Sequence, residues 1–145
     1  MKISIDRARV SDVDGILELQ KNIWKDEGGQ SNWYDMCDWI VHGYVFVAKH
    51  RSKIVGTIAA FRTSGNELYV TEWIVDEEYR RKGIGSRLYR KLISTTQLPI
   101  LTIISTDYKE SMAGHSKLGF RLVKRLRNPY GLKEKKERLL LRRSQ

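Results

Sequence analysis

The segment 72–92, EWIVDEEYRRKGIGSRLYRKL, constrains the fold more than any other part of the sequence. Its apolar beginning predicts a strand that ends near Val75, and its two glycines mark the start of a helix. Ile84, Leu88 and Leu92 recur every four residues, so this helix has one apolar face. A strand that leads through a short turn into an amphipathic helix indicates an α/β architecture.

The turn inside this segment is suited to holding an anion. The first turn of a helix leaves backbone N–H groups without an intrahelical partner, and Gly83 and Gly85 let an anion approach them beside the basic triplet at 80–82. Several hydrogen bonds to a charged group, at roughly 1.5–3 kcal/mol each, outweigh a helix dipole of about 0.3–1 kcal/mol. The spacing matches neither a Walker A loop nor a dinucleotide fingerprint, which would need glycine in place of Leu88. We therefore predict a diphosphate site.

Strand and helix patterns follow one another along the rest of the chain without a linker, which indicates a single α/β domain over residues 1–145. A chain of 145 residues is long enough for one core and too short for two ordinary domains. We expect the run at 99–105 to be buried on both faces, and Ser11 and Asp14 to cap the first helix. The predicted strands are 2–6, 44–50, 53–62, 67–75, 99–105, 120–127 and 137–143, and the predicted helices are 11–24, 33–43, 84–96 and 109–119.

The composition limits where the protein works. No apolar run approaches the roughly 18 residues of a membrane span, and the beginning of the sequence, MKISIDRARV, lacks the apolar stretch of a signal peptide. The single cysteine, Cys37, cannot form an internal disulfide, and its apolar neighbours favour a buried structural thiol over a nucleophile. We therefore expect a cytoplasmic protein with no membrane partner, and the sequence leaves a homodimer open.

The net charge of +10 is concentrated near the C-terminus. Residues 121–145 hold 10 Lys or Arg against 2 Asp or Glu, a net of +8, while residues 1–120 hold 17 against 15, a net of +2. The basic residues alternate with Leu and Val, which is typical of strands with solvated basic faces. A surface for a polyanion or an acidic partner is the alternative.

Two motifs in the sequence resemble those of the GNAT superfamily of N-acetyltransferases. Arg80, Gly83 and Gly85 fill the family's motif A, in which Arg or Gln is followed three residues later by Gly and two residues after that by Gly or Ala. The segment SMAGHSKLGF at 111–120 resembles motif B, including its K-L-G-F ending. The resemblance implies a mixed, mostly antiparallel central sheet of about six or seven strands, with strands 4 and 5 splayed apart and about four flanking helices.

The resemblance also implies that acetyl-CoA is a co-substrate and that no metal ion takes part. In the family, strand 4 pairs with the pantetheine arm, the glycine turn binds the diphosphate, and strands 4 and 5, here 70–75 and 100–105, separate to admit the cofactor. The matching residues are Trp73, Ile74 and Val75 for the arm, and Arg80, Arg81, Lys82, Gly83, Ile84, Gly85 and Ser86 for the turn.

Two positions depart from the family's pattern. Tyr108 stands where many members have an Asn that contacts the cofactor. His115 stands where many have a Tyr that protonates the leaving thiolate. Histidine can donate a proton near neutral pH, so we name His115 as a candidate general acid, with a structural histidine as the alternative.

An amine acceptor must lose a proton in order to attack. An alkyl ammonium with a pKa near 10.4 costs roughly 4.6 kcal/mol to neutralise at pH 7. Glu72 lies on the strand that, by the resemblance, passes the thioester, and it is our candidate base, with Glu67 second. A cross-strand partner is the alternative for Glu72. We expect a backbone N–H near Trp73 or Ile74 to stabilise the oxyanion.

The stretch 26–48 has no Lys or Arg and carries an acidic, aromatic cluster. By the resemblance, the first two helices and their loop line the acceptor site. We hypothesise that Trp33, Tyr34, Asp35 and Asp38 bind a cationic amine through charge and cation–π attraction. The alternative is a solvated helix face with aromatic residues in the core.

The sequence therefore predicts an N-acetyltransferase that moves the acetyl group of acetyl-CoA to a primary amine, either a small molecule or a peptide. We expect direct attack, because no Cys–His or Ser–His pair indicates a covalent intermediate. The alternative is a non-catalytic CoA-binding module whose basic C-terminus contacts nucleic acid or an acidic partner. We do not expect nucleic acid as a partner, because no nucleic-acid-binding motif is present.

Overall fold

The computed structural model describes residues 1–25, 30–107, 109–129 and 137–144. Its strands are β1 (Ile3–Arg7), β2 (Tyr44–His50), β3 (Lys53–Arg62), β4 (Leu68–Val75), β5 (Ile100–Ser105), β6 (Arg121–Arg127) and β7 (Glu137–Arg143). Its α-helices are α1 (Val13–Trp24), α2 (Trp33–His42), α3 (Ile84–Ser94) and α4 (Lys109–Lys117). Short 3-10 helices, Val10–Asp12 and Glu77–Tyr79, precede α1 and follow β4.

The seven strands form one mixed sheet in the order β1-β2-β3-β4-β5-β7-β6. The pairs β1–β2, β2–β3, β5–β7 and β6–β7 are antiparallel, and the pair β4–β5 is parallel. This confirms the predicted sheet, and each predicted strand and helix is present. Within the described ranges, no helix is both long and apolar enough to cross a membrane.

The start of α1 differs from the prediction. Ser11 lies within the preceding 3-10 helix, and Asp12 is the N-cap of α1. One oxygen of the Asp12 carboxylate accepts a hydrogen bond from the backbone N–H of Arg9 at 2.8 Å, and the other lies 2.7 Å from Lys49 Nζ. The helical segment therefore begins with a 3-10 turn, and the Asp12 side chain stabilises that turn and does not cap an N–H of α1.

Strand β5 also differs from the prediction, because it is buried mainly on one face. Ile100, Thr102 and Ile104 are buried, whereas Ile103 is 37% exposed. The pairing of β4 with β5 joins Leu68–Val70 to Ile100–Thr102, and β4 then continues to Val75. The two strands pair over only three residues, which agrees with the predicted separation of strands 4 and 5.

Contacts between residues divide the chain into two compact units. A single domain over residues 1–145 therefore stays a prediction. The first unit comprises Met1–Phe61 and Thr71–Thr96, and the second comprises Arg62–Val70 and Gln97–Gln145. In the first unit, apolar residues of α1 and α2 pack against β2, β3 and β4. The buried members of this core are Ala8, Val13, Ile16, Leu19, Met36, Val45, Val47, Ile54, Ala59 and Ile74.

The second unit holds α4 and the strands around β7. Strand β7 pairs with β5 and with β6, and its Leu139 and Leu141 are buried. Strand β6 is exposed along nearly its whole length. Strand β7 therefore contributes to the core of this unit, while β6 faces solvent.

Candidate active site

Helix α3 begins with open backbone donors. Gly83 is its N-cap, with a φ of 77°, and it supplies no side-chain acceptor to the first turn. A Cβ built on Gly83 would have nothing within 4 Å, so the space beside this backbone is free. The N–H groups of residues 84–86 have no partner inside the helix, and an anion can reach them from that space.

Gly85 has a packing role that the sequence did not show. The indole Nε1 of Trp73 donates a hydrogen bond to the Gly85 carbonyl at 3.0 Å, and the Trp73 ring meets Tyr89 edge to face with centroids 4.8 Å apart. A Cβ on Gly85 would lie 2.9 Å from Cζ2 of Trp73. The missing side chain therefore lets β4 and the first turn of α3 lie in direct contact.

The basic residues of the turn have protein contacts of their own. Nε of Arg80 donates to the Val75 carbonyl at 3.0 Å, which closes the connection from β4 to α3. Nζ of Lys82 lies 5.9 Å from the centre of the Tyr79 ring. Arg81 has a φ of 63°, which costs about 1–2 kcal/mol for a residue with a Cβ. Binding of the diphosphate by these side chains stays a prediction.

Glu72 is joined to α1 by one amide side chain. Both carboxylate oxygens of Glu72 accept hydrogen bonds from Nε2 of Gln20, at 3.0 and 3.1 Å. Gln20 is fully buried, and its Oε1 accepts from the backbone N–H of Ser31 at 2.8 Å. Nε2 of Gln20 also lies 3.3 Å from Ser31 Oγ. The observed partner of Glu72 is therefore a helix residue, which differs from the cross-strand partner considered above.

The surroundings of Glu72 change its acidity. Burial raises the pKa of Glu72 from 4.5 to about 7, and the hydrogen bond from Gln20 opposes the rise because it favours the carboxylate. A carboxyl group with a pKa near neutral is present in both forms at physiological pH. Such a group can take a proton and release it again, which is the property required of a general base.

Gln20 and Ser31 were absent from the predicted site. The signal for Gln20 was its place in the apolar series of α1, where Val13, Ile16 and Leu19 are buried. A polar side chain on such a face must find a hydrogen-bond partner inside the protein. Nothing in the sequence identified Glu72 as that partner, because the two residues lie 52 positions apart.

The exposed face of α2 carries most of the predicted acceptor residues. Trp33 is 44% exposed and Tyr34 is 84% exposed. Together with Cys37 and Asp38 they line an open depression of about 410 Å³. Cys37 is half-buried and packs against the core of the first unit, so its thiol is structural as predicted but less buried than predicted.

Asp35 takes part in the N-terminal cap of its own helix, α2. Its backbone N–H donates to Oδ1 of Asn32 at 2.9 Å, and its carboxylate lies 3.5 Å from the backbone N of Asn32. The two residues form a capping box at the start of α2. Asp35 therefore has a structural role, whereas Asp38 belongs to the depression.

His115 lies in the second unit and is 1% exposed. Its Nδ1 is 2.6 Å from the Ser111 carbonyl, and its ring meets Phe120 edge to face at 5.1 Å. Burial lowers the pKa of His115, which favours the neutral ring. These contacts support the structural alternative, and a catalytic role stays a prediction.

Two further residues were predicted from the sequence, Glu67 as the second candidate base and Tyr108 as a cofactor contact. The carboxylate of Glu67 accepts from Thr63 Oγ1 at 3.1 Å and lies 4.0 Å from Nε of Arg142, so it has partners within the second unit. Tyr108, predicted to contact the cofactor, lies outside the described residues. Among the residues that the structure describes, no three His, Cys, Asp or Glu side chains gather as a metal site would require.

Comparison with known proteins places this geometry in a family. The family model for the acetyltransferase (GNAT) family matches residues 13–120. No curated protein matches the sequence. The ribosomal-protein-S18-alanine N-acetyltransferase from Escherichia coli superimposes with a TM-score of 0.83 at 14% identity, over 99% of this chain and 96% of that chain.

Two further solved structures have the same fold. Naa50 from Arabidopsis thaliana, in complex with the bisubstrate analogue CoA-Ac-MVNAL, gives a TM-score of 0.83 at 20% identity over 100% of both chains. The protein smu.2055 from Streptococcus mutans UA159 gives a TM-score of 0.83 at 24% identity over 99% of both chains. At these identities the solved structures establish the fold, while the family model spans both sequence motifs. The chain therefore belongs to the acetyltransferase (GNAT) family.

Proposed function

We propose that this protein uses Glu72 as the base that takes a proton from the ammonium form of a primary amine, so that the amine can attack the acetyl group of acetyl-CoA. Membership of the GNAT family supports acetyl transfer with acetyl-CoA as the donor. The observation that carries the proposal is the half-buried Glu72 carboxylate, held by Gln20 and with its pKa raised to about 7. It lies on the strand that leads directly into the glycine turn.

The donor is proposed to bind along the end of β4 and the start of α3. The open N–H groups of residues 84–86 support a diphosphate at the turn, and residues 73–75 would pair with the pantetheine arm. Contact between Trp73 and Gly85 keeps the strand and the turn together, so both parts of the donor would meet a fixed surface.

The proposed reaction is a direct displacement. The ammonium form of the amine gives one proton to Glu72, which later releases it to solvent. The neutral nitrogen then forms a bond to the acetyl carbon, the carbon–sulfur bond breaks, and the nitrogen loses its second proton to water. A backbone N–H near Trp73 or Ile74 stabilises the negative charge that develops on the acetyl oxygen. Coenzyme A leaves as a thiolate and takes up a proton to become a thiol.

The departing thiolate needs a source for that last proton. His115 is the candidate that the family resemblance provides. A neutral ring whose Nδ1–H donates to the Ser111 carbonyl has no second N–H to give. Proton transfer from His115 would require the charged ring, which burial disfavours. Water is therefore the alternative donor.

The acceptor is proposed to be a cationic amine that enters beside α2. Trp33 and Tyr34 offer aromatic surface, and Asp38 offers a negative charge at the same depression. Two of the structures with this fold are described with protein or peptide acceptors, the S18-alanine N-acetyltransferase and Naa50 with its peptide-linked analogue. Peptides with a free α-amine therefore belong in any acceptor screen.

The test is a thiol-release assay with acetyl-CoA and a panel of small amines and peptides. We expect turnover with at least one primary amine, and we expect Glu72→Gln to lower kcat/KM for that amine by about 10²–10⁴-fold, the usual contribution of a general base. The KM for acetyl-CoA should stay close to that of the unchanged protein. Glu18→Gln, at an exposed position of α1, removes the same charge and serves as the control.

Two results would contradict the proposal. Absence of turnover with every amine, despite tight binding of coenzyme A, would support the non-catalytic alternative. Unchanged kcat/KM in Glu72→Gln across pH 6–9 would exclude Glu72 as the base and leave water relays as the route for the proton.

A further inference from the structure

Gln20 links three parts of the first unit through one buried side chain. Its Nε2 donates to both carboxylate oxygens of Glu72 on β4, and its Oε1 accepts from the backbone N–H of Ser31. Nε2 also lies 3.9 Å from Sδ of Met36, a buried residue of α2. Gln20 itself belongs to α1 and is 0% exposed. The contacts thus join β4 to the segment that leads into α2.

The chemistry of this bridge requires a side chain that both donates and accepts. A backbone N–H can only donate, so the atom that faces Ser31 must be an acceptor. A carboxylate can only accept, so the atom that faces Glu72 must carry hydrogen. The carboxamide of Gln20 meets both conditions in one orientation, which also fixes which end is oxygen and which is nitrogen. An apolar residue at position 20 would leave the half-buried Glu72 carboxylate and the Ser31 backbone N–H without these bonds.

We propose that Gln20 is a positioning residue that holds the Glu72 carboxylate in its working orientation and fastens it to Ser31, immediately before α2. The inference rests on the proposed function of Glu72 as the base. Ser31 precedes Asn32, the N-cap of α2, and α2 carries Trp33 and Asp38 of the acceptor depression. Gln20 therefore ties the base to the entry of the helix that would receive the amine.

A purely structural role for Gln20 predicts a different set of effects. Loss of a buried hydrogen-bonded side chain lowers stability whether or not the protein is active. Loss of a positioning residue also changes how Glu72 ionises, because the Gln20 amide favours the carboxylate. The pH dependence of catalysis therefore separates the two roles, since a structural role leaves the ionisation of the base unchanged.

The experiment measures kcat/KM against pH for Gln20→Leu, a variant of similar size that has no donor or acceptor. We expect kcat/KM at pH 7 to fall about 10-fold or more and the acidic limb of the profile to move up by about one to two pH units, the equivalent of one hydrogen bond to a charged group. The loss of kcat/KM should become smaller at pH values above the acidic limb, and the KM for acetyl-CoA should not change. Gln97→Leu, the same substitution at an exposed position, is the matched control.

A second pair of variants covers the case in which Gln20→Leu does not fold. Gln20→Glu keeps the shape of the side chain and places a second carboxyl against Glu72, so the acidic limb should again move to higher pH. The exchange Gln20→Glu with Glu72→Gln restores one carboxylate and one amide at the bridge. This double variant should melt close to the unchanged protein and remain as inactive as Glu72→Gln, because its charge then lies on α1.

The outcomes distinguish this inference from the proposed function. If Glu72→Gln is inactive but the Gln20 variants keep both kcat/KM and the acidic limb, Gln20 is structural and the base remains assigned. If Glu72→Gln is fully active, the proposed base is wrong and the positioning role fails with it. A fall in melting temperature without any change in the pH profile overturns the inference as well.

Discussion

At the scale of single residues, the surroundings of Glu72 make the stability of the fold depend on pH. Burial raises the pKa of its carboxyl group from 4.5 to about 7, so the folded protein binds this proton more tightly than the unfolded chain does. Between those two values, raising the pH removes the proton from the unfolded chain first. The folded state is then progressively less favoured as the pH rises, until Glu72 is ionised in both states.

We predict that Glu72→Gln stabilises the protein at high pH. A glutamine cannot ionise, so the variant avoids the cost of a buried charge, which is about 3 kcal/mol for a pKa shift of this size. The free energy of unfolding of the variant should match that of the unchanged protein near pH 4.5 and exceed it by an increasing margin up to about pH 7–8. Urea unfolding at a series of pH values measures this difference.

The control for this prediction is again Glu18→Gln, at an exposed position. It should give a difference in unfolding free energy that hardly changes across the same range. A Glu72→Gln variant that is less stable at pH 8 than the unchanged protein would show that the Gln20 hydrogen bond outweighs the cost of burial.

The residue scale also shows what the sequence could and could not predict. Gly83 and Gly85 were identified from their spacing, because a strand followed by two glycines and an apolar helix face is a local pattern. The contact of Trp73 with Gly85 was not predictable, since it depends on how the indole packs across the turn. The bond of Gln20 to Glu72 joins residues far apart in sequence, and no local pattern encodes it.

At the scale of elements, α2 gives different surroundings to two aspartates that look alike in the sequence. Asp35 lies at the third helical position and forms a capping box with Asn32. Asp38 lies one turn later and faces the open depression with Trp33 and Tyr34. The sequence grouped both aspartates as acceptor ligands, but helix geometry gives them different surroundings.

We predict that the two aspartates respond differently to neutralisation. Asp38→Asn should raise the KM for a cationic amine several-fold and leave the melting temperature unchanged, because it removes a surface charge without breaking a cap. Asp35→Ala should lower the free energy of unfolding by about 0.3–1 kcal/mol, because it removes a carboxylate from the first turn of α2 while the bond from its backbone N–H to Asn32 remains, and it should have little effect on KM. Steady-state kinetics and urea unfolding of both variants measure the two effects.

A neutral acceptor provides the internal control, since its KM should not respond to Asp38→Asn. Equal KM effects for charged and neutral amines would show that the depression does not act through charge. A rise in KM with Asp35→Ala as large as that with Asp38→Asn would return Asp35 to the acceptor site.

Element types were predictable because residue spacing or residue type indicates each of them. The apolar face of α3 comes from spacing, whereas β2 and β3 are runs of β-branched and aromatic residues that are buried along most of their length. The exposure of Ile103 was not predictable, because a short apolar run reads the same whether a second layer covers it or not. The ion pair of Asp12 with Lys49 of β2 was not predictable either, because it joins distant parts of the chain.

At the scale of the whole molecule, the excess positive charge is associated with an edge of the sheet. Strand β6 is last in the strand order, and Arg121, Lys124 and Arg127 are exposed along it. The pairing of β6 with β7 shifts register between Leu122 and Lys124, where a bulge interrupts the ladder. Charges and bulges are the usual means by which proteins keep an edge strand from pairing with another chain.

We predict that the triple variant Arg121→Thr, Lys124→Thr and Arg127→Thr self-associates more strongly than the unchanged protein. Threonine keeps the strand propensity but removes the repulsion between facing edges, and Arg125 is retained because it pairs with Glu137 at 2.6 Å. In light scattering over a range of protein concentrations, the average mass of the variant should begin to rise at a lower concentration than that of the unchanged protein.

The matched control removes three exposed positive charges elsewhere, at Lys2, Lys21 and Arg90, so the net charge is the same in both variants. If the edge is what matters, this control should behave like the unchanged protein, because its β6 charges are intact. Equal association of both variants would mean that net charge, and not the edge strand, keeps the protein dispersed. If neither variant associates, the basic residues of β6 are free for another task, and binding of a polyanion that weakens with salt would be the next measurement.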